Sequence, residues 1–511
     1  MSDTQQPAAS GLGAHARWLI YTVLIAVAIG QAAGKILAVN AVDLVRIEHG
    51  RVQKALGKER ERLERQGLEG DALQTALDSA ETEITRKVRL QRPFLSGNDR
   101  SRWMAIRALA ENGNHYIEPF FEERTWDTID MVQHSGRDGK LHLYSSKPPL
   151  LMVLLSGPYW VLMKATGLTL GEAPYLLGRT MLLLFNGGAL LTLLVCAARL
   201  IERVGFGDVD RLFAMAAAAC GTQLAAFTPV LNNHLFAAAA TAVACDAWLR
   251  LLDSEDGIAR LSLRAGLAAG LATACELPAL ALVAVIGLSL LMKRPAETLR
   301  GYAVGVGVVA IAFFGTNYWA HESLRPPYAH RSETDPTDNW YDYEFTVRGE
   351  TCDSYWRNRR GIDVGEASKA TYALHTLVGH HGVFSLTPVW LLSLLGGVRL
   401  LASRDGTTRQ LALATALITA ACLVFYLGMR PQGDRNYGGS TNGFRWLFWL
   451  APMWLAMMPA MIDRLKNHRL GFALAAALLA WSAMSASYPT WNPWTHPWVY
   501  YWMDWLGFRV L

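Results

Sequence analysis

The sequence predicts an all-α polytopic membrane protein. Three observations carry this reading. Long apolar runs alternate with short polar ones along 511 residues that are 52% hydrophobic and 18% charged. Basic residues gather in the short connections between the runs. Many of the 18 tryptophans stand near run ends, where interfacial belts form. A large soluble fold is excluded by these runs. The net charge of +5 asks for no nucleic-acid partner, because cytoplasmic loops of membrane proteins are basic. Five of the six cysteines (Cys196, Cys220, Cys245, Cys275, Cys422) lie in apolar runs, and Cys352 lies in a polar loop. Neither a disulfide framework nor a C-x-x-C metal pattern is present.

Taken in order, residues 1–17 form a cytoplasmic N-terminus and 18–38 a first span. That run lacks an A-x-A-type cleavage site and is read as retained. Residues 39–175 form a large outer loop, with a re-entrant segment at 148–166 where Ser156-Gly157-Pro158 interrupts an apolar run. Within 176–320, spans 2–7 fall at 176–198, 212–230, 234–252, 262–276, 277–292 and 301–320. Glu276-Leu277-Pro278 supplies the break between the fourth and fifth of these runs. A second outer loop occupies 321–382. Spans 8–11, within 383–487, fall at 383–398, 410–428, 446–462 and 470–487, and 488–511 is an outer aromatic C-terminus. Arg199, Arg203 and Arg211 mark one cytoplasmic connection, and four similar clusters mark the others. The total is about 11 transmembrane helices.

The tract 46–92 holds eleven Lys/Arg and nine Asp/Glu. It reads as a charged helical insertion turning at Gly67–Gly70, either a solvated face or a partner-docking arm.

Chemistry concentrates in the outer segments. Asn98-Asp99-Arg100-Ser101-Arg102-Trp103 opens a helix-like run to Glu111, and Asn98 or Asp99 is positioned as its N-cap. Lys147, in Tyr144-Ser145-Ser146-Lys147-Pro148-Pro149-Leu150, begins an apolar run. It either snorkels to the headgroups or holds a phosphate ester in a partly dehydrated site. Arg445 begins a span in the same way and is a second candidate phosphate ligand. Asn233, His234 and Glu276 sit at outer breaks between spans, as turn and cap residues or as the lining of a polar cavity. Trp340 and Tyr341 offer aromatic faces on which sugar rings stack, or an interfacial belt. His375, His380 and His381 suggest a metal, yet no H-E-x-x-H pattern accompanies them. No metal ligand is assigned, no cofactor is required, and the need for a divalent metal is left open.

The run Asp99 to Arg107, then Glu111-Asn112-Gly113, Glu118-Pro119 and Tyr144 to Leu150, resembles the first outer loop of GT-C glycosyltransferases. The likeness is to lipid A aminoarabinose transferases, protein O-mannosyltransferases and the RgtA/B/C/D-like group. In these, the loop carries a D-E-x-R-Y-like and a K-P-P-L-like element. The resemblance covers residues 95–155; beyond them only the architecture agrees. It implies that Asp99 is the catalytic base, that Arg102 and Lys147 hold a lipid phosphate, and that Tyr144 lines the same pocket. Asp130 matches a second acidic residue of the loop, with Asp127 competing for the match. Arg100 stands where relatives have Glu, Trp103 where they have Tyr, and the charged insertion is unlike them.

The resemblance implies an integral-membrane transferase, and a single carboxylate acting directly on the acceptor favours inversion at the anomeric centre. Such a transferase moves a sugar from a polyprenyl-phosphate donor to an acceptor hydroxyl or amine of a glycan, lipid or protein. The setting is the outer face of the cytoplasmic (cell inner) membrane, in glycan biosynthesis of the cell envelope. A transporter or flippase for a lipid-linked or small polar solute, with Glu276, Asn233 and His234 along its path, is the rival reading.

Overall fold

The computed structural model describes residues 12–38, 44–88, 94–123, 126–253, 256–332, 334–489 and 492–508. Among the described residues, eight helices are long and apolar enough to cross a membrane: Ala14–Ala38, Pro174–Val204, His234–Asp253, Ile258–Cys275, Pro295–His321, Gly406–Met429, Arg445–Leu465 and Arg469–Ser487. Three shorter apolar helices accompany them, Leu150–Thr166, Leu277–Lys293 and Trp390–Leu401.

The eleven expected spans meet this set with differences that have local causes. The expected span 212–230 is a 13-residue helix, Asp208–Cys220, that stops at Gly221. At 1.5 Å per residue it rises only about 20 Å, against a hydrocarbon core of about 30 Å. The expected span 383–398 is divided by Pro388 into Val383–Leu386 and Trp390–Leu401. The expected break at Ser156-Gly157-Pro158 does not form. Leu150–Thr166 is one helix with Pro158 inside it, since a proline removes one backbone donor and can bend a helix without ending it.

Two apolar cores hold the bundle together. One joins the N-terminal helix, through Tyr21, Ile25, Ala28 and Ala32, to Leu190, Leu193 and the helices ending at Leu465 and Ser487. The other is built on the alanine-rich face of His234–Asp253, packed against Ile258–Cys275 and Arg445–Leu465. Small residues permit close backbone approach there. A Cβ added to Gly266 would stand 2.1 Å from the Tyr302 carbonyl oxygen, and one on Gly305 would stand 2.6 Å from the Leu267 amide nitrogen. Opposite faces remain apolar and open. Val304, Val308 and Ile311 are all exposed and recur with helical spacing, which suits contact with lipid.

A third core lies in the first outer loop. The helix Gly97–Asn112 is capped by Ser96, whose Oγ accepts from the Asp99 amide, and ends at Gly113 in the left-handed region with φ 70°. The cap is therefore Ser96, two residues before the expected Asn98 and three before Asp99. Trp103 stacks on Phe94 at 4.7 Å. Arg107 pairs with Glu111 at 3.0 Å and Glu123 at 2.8 Å. Beside this helix runs an antiparallel hairpin, β1 (Met131–Ser135) and β2 (Leu141–Ser145), in which Met131 faces Ser145. That register sets Asp130 and Ser146 across the open end of the hairpin, where the Ser146 amide donates to the Asp130 carbonyl at 3.1 Å.

The charged tract forms two helices, Leu44–Arg65 and Gly70–Val88, with Gly67 in the left-handed region between them. Among its described side chains the buried apolar ones are Val52, Leu63 and Leu77, and none of these joins the cores of the bundle. A second small hairpin pairs Glu344–Val347 with Glu350–Asp353 in the second outer loop.

Candidate functional site

The helix Gly97–Asn112, the start of Leu150–Thr166 and the ends of three apolar helices converge on one polar cavity of about 810 Å³. Arg102, Lys147, Asn233, His234, Glu276 and Arg445 all line it. Each comes from the end of an element. Arg102 lies one turn inside the 97–112 helix. Asn233 and His234 start one span, Glu276 ends another, and Arg445 starts a third.

A chain of contacts ties two of these arginines to one carboxylate. Arg102 Nη2 donates to Asn233 Oδ1 at 2.6 Å. Asn233 Nδ2 in turn donates to Glu276 Oε1 at 2.8 Å and to the Cys275 carbonyl at 2.7 Å. On the far side of Glu276 lies His234 Nδ1. Arg445 Nη1 reaches His234 Nε2 at 2.6 Å, so that ring nitrogen must be the acceptor. Arg445 Nε donates to the Gly438 carbonyl at 2.9 Å. Glu276 thus answers two guanidinium charges, and neither arginine can swing away without breaking a bond.

Lys147 has its own partner. Its Nζ donates to Asp130 Oδ1 at 2.8 Å. Burial depresses the Lys147 ammonium to about 8, against the opposing pull of Asp130. Burial works to raise the Asp130 pKa, but the charge and hydrogen bond of Lys147 hold it below the usual carboxylate range. Arg102 is lowered to about 10 by burial, with the Arg445 charge adding to the effect.

The remaining residues singled out in the sequence stand behind or beside the cavity. Asp99 is fully buried and does not line it. Its Oδ1 accepts from the Leu231 amide at 2.9 Å and its Oδ2 from the Leu95 amide at 3.4 Å. Burial pushes its carboxyl up to about 7, and those two amides pull the other way. Tyr144 is buried, stacked on His134 at 4.0 Å, and shares a narrow pocket with Lys147. Trp340 lies between His330 at 3.6 Å and His134 at 4.1 Å, which leaves neither face for a sugar ring. Tyr341 is buried and also lies away from the cavity wall.

Three cations of the same wall escaped the reading of the sequence: Arg331, Arg359 and Arg430. Arg430 follows an apolar run, just as Lys147 and Arg445 precede theirs, and that position was the available signal. Arg331 and Arg359 sit in an aperiodic outer loop that offers none. Among the described residues, no group of three or more His, Cys, Asp or Glu is arranged to hold a metal ion.

Neither a protein-family model nor a curated protein sequence matches the chain. Among solved structures it is similar to the Archaeoglobus fulgidus oligosaccharyltransferase in the apo form. The TM-score is 0.44 at 13% identity, covering 82% of this chain and 56% of that one. The same protein in complex with Zn and sulfate gives 0.43 at 15% identity, covering 83% and 54%. The archaeal oligosaccharyltransferase AglB from the same organism, in complex with an inhibitory peptide and a dolichol-phosphate, gives 0.39 at 14% identity, covering 83% and 57%. The chain thus spans little more than half the length of these proteins. A likeness of this degree assigns neither donor nor acceptor.

Proposed function

We propose that this chain is an integral-membrane glycosyltransferase that uses a polyprenyl-phosphate-linked sugar at the outer face of the cytoplasmic membrane. One observation carries the reading: Arg102, Lys147 and Arg445 converge on a single polar cavity at the ends of apolar helices. A lipid phosphate fits such a place. Its head requires cations and hydrogen-bond donors, and its chain requires a membrane.

In this proposal the acceptor oxygen attacks the anomeric carbon while the bond from that carbon to the phosphate oxygen breaks. The phosphate leaves with the electron pair, and its charge grows from one to two. Arg102 and Arg445 are already fixed in place and stabilise it without reorganising. Asp130 stands one hydrogen bond behind Lys147 and, like Asp99, outside the cavity lining, so it takes the acceptor proton by way of the Lys147 ammonium. Protonation of Asp130 removes the partner of Lys147 and releases the ammonium charge toward the leaving phosphate, so the two events reinforce each other. Asp99 acts as a positioning residue. It fastens the start of the 97–112 helix to the 231 strand-like turn, and so sets Arg102 against Asn233. A single carboxylate acting on the acceptor favours inversion, since a retaining route needs a second one about 5–5.5 Å away.

The test is transfer of labelled sugar from a polyprenyl-phosphate donor to cell-envelope glycan by the purified protein, with products read by mass spectrometry. Asp130→Asn is expected to lower turnover by about 10²–10⁴-fold while donor binding persists. Wild-type turnover in that variant removes Asp130 from the role. Absence of transfer from every polyprenyl-phosphate sugar tried removes the reading itself.

A further inference from the structure

The cavity holds a second basic group that the mechanism does not use. Arg331 and Arg430 share one carboxylate, Asp434: Arg331 Nη1 lies 3.3 Å from Oδ1 and Arg430 Nη2 lies 3.9 Å from Oδ2. All three line the cavity. Asp338 lines it too, but its oxygens are met from outside by Arg325 at 2.9 and 2.6 Å.

Two further observations set this group apart from ordinary ion pairs. Arg331 Nη2 and Arg430 Nη1 are buried and have no hydrogen-bond partner among the described residues. A buried donor left unmet is costly, more so on a charged group. Both guanidinium planes are also braced. Arg331 lies over Trp356 at 4.9 Å, and Arg430 lies over Trp446 at 4.1 Å. Stacking fixes the plane of an arginine and leaves its N–H edge for a planar or tetrahedral anion.

Charge counting separates the two groups. At the first, Arg102 and Arg445 face Glu276, and Lys147 is balanced by Asp130, which leaves one positive charge. A polyprenyl phosphosugar is a phosphodiester with one negative charge and satisfies that group alone. At the second, Arg331 and Arg430 share Asp434, which leaves one positive charge on that pair beside Arg359 on the same wall. One phosphodiester cannot neutralise both.

We infer that the cavity binds a second phosphoryl group at Arg331 and Arg430. The substrate pair therefore carries two phosphates: either a diphosphate link in the donor or a phosphate on the acceptor. This deepens the transferase reading and rests on it only for the identity of the first anion.

The experiment uses the full chain in nanodiscs of uncharged phospholipid. The probes are undecaprenyl phosphate, undecaprenyl diphosphate, and inorganic phosphate added to protein saturated with the monophosphate lipid. The variants are Arg331→Gln with Arg430→Gln, and Asp434→Asn. A second phosphate on the donor gives a preference for the diphosphate lipid of about tenfold or more. One on the acceptor gives inorganic phosphate binding to the lipid-saturated protein. The double variant abolishes whichever effect is present. Asp434→Asn strengthens it several-fold, a gain that misfolding does not produce. The inference is overturned if the wild type shows neither effect, or if the double variant binds all three probes as the wild type does. Failure of undecaprenyl phosphate to bind, with inorganic phosphate still bound through Arg331 and Arg430, overturns the transferase reading and leaves this one standing.

Discussion

Lys147 is the residue whose chemistry is most exposed to the medium. Its ammonium titrates at about 8 because burial outweighs the attraction of Asp130. In the proposed reaction the charged form holds the phosphate, so donor affinity is expected to be full below pH 8 and to fall as pH rises through it. Lys147→Arg, whose guanidinium keeps its charge, flattens that profile even where it weakens binding overall. Donor binding measured from pH 6 to 9.5 decides this, and a flat wild-type profile removes the assignment. Asp99 titrates in the opposite context. Its folded pKa of about 7 lies above the ordinary value of 3.8, so its contribution to stability is complete below about pH 4 and is lost as pH rises through 7. Asp99→Asn keeps a single acceptor oxygen for two amides. It is therefore expected to destabilise the protein more at pH 5 than at pH 8, by thermal denaturation in detergent. An equal loss at both pH values contradicts the buried, raised carboxyl.

Among the elements, the crossing of Ile258–Cys275 with Pro295–His321 is the tightest test of packing. Gly266 leaves no room for a methyl group against Tyr302, whereas Gly307, on the second helix, meets nothing within 4 Å. Gly266→Ala is expected to cost about 1–3 kcal/mol through forced separation of the helices, and Gly307→Ala to be neutral. Equal melting temperatures for the two variants refute that contact. The charged hairpin presents the contrary case. Its buried side chains join none of the bundle's cores, so replacing 44–88 with a short Gly/Ser linker is expected to leave lipid-phosphate binding within about twofold of the wild type, given that distant sites act independently. A tenfold loss on the same binding assay shows that the hairpin supports the site.

Over the whole molecule, what could be read in advance depended on whether a residue sat at a boundary. Lys147, Arg445, His234 and Glu276 each mark the edge of an apolar run, where a charge is conspicuous, and all four line the cavity. Asp99 was also conspicuous, but its surroundings were not. The amides of Leu95 and Leu231 claim both its oxygens, and no local pattern reveals a partner so distant in the chain. Trp340 shows the same limit. An aromatic residue in a polar loop reads as a platform until His134 and His330 are found against its two faces. The apolar runs fixed the helices well, yet the shortness of Asp208–Cys220 and the split at Pro388 depend on single residues that hydropathy averages away.

The linkage of Arg102 to Arg445 through Asn233, Glu276 and His234 bears on biosynthesis. A ribosome delivers one of these guanidinium groups early and the other only after most of the chain has left the tunnel. A nascent protein stalled before residue 445 has Arg102, Lys147 and Glu276 but lacks the guanidinium that closes this particular linkage. Translation must run through residue 445, and the helix that it opens must pack into the bundle, before the linkage can close.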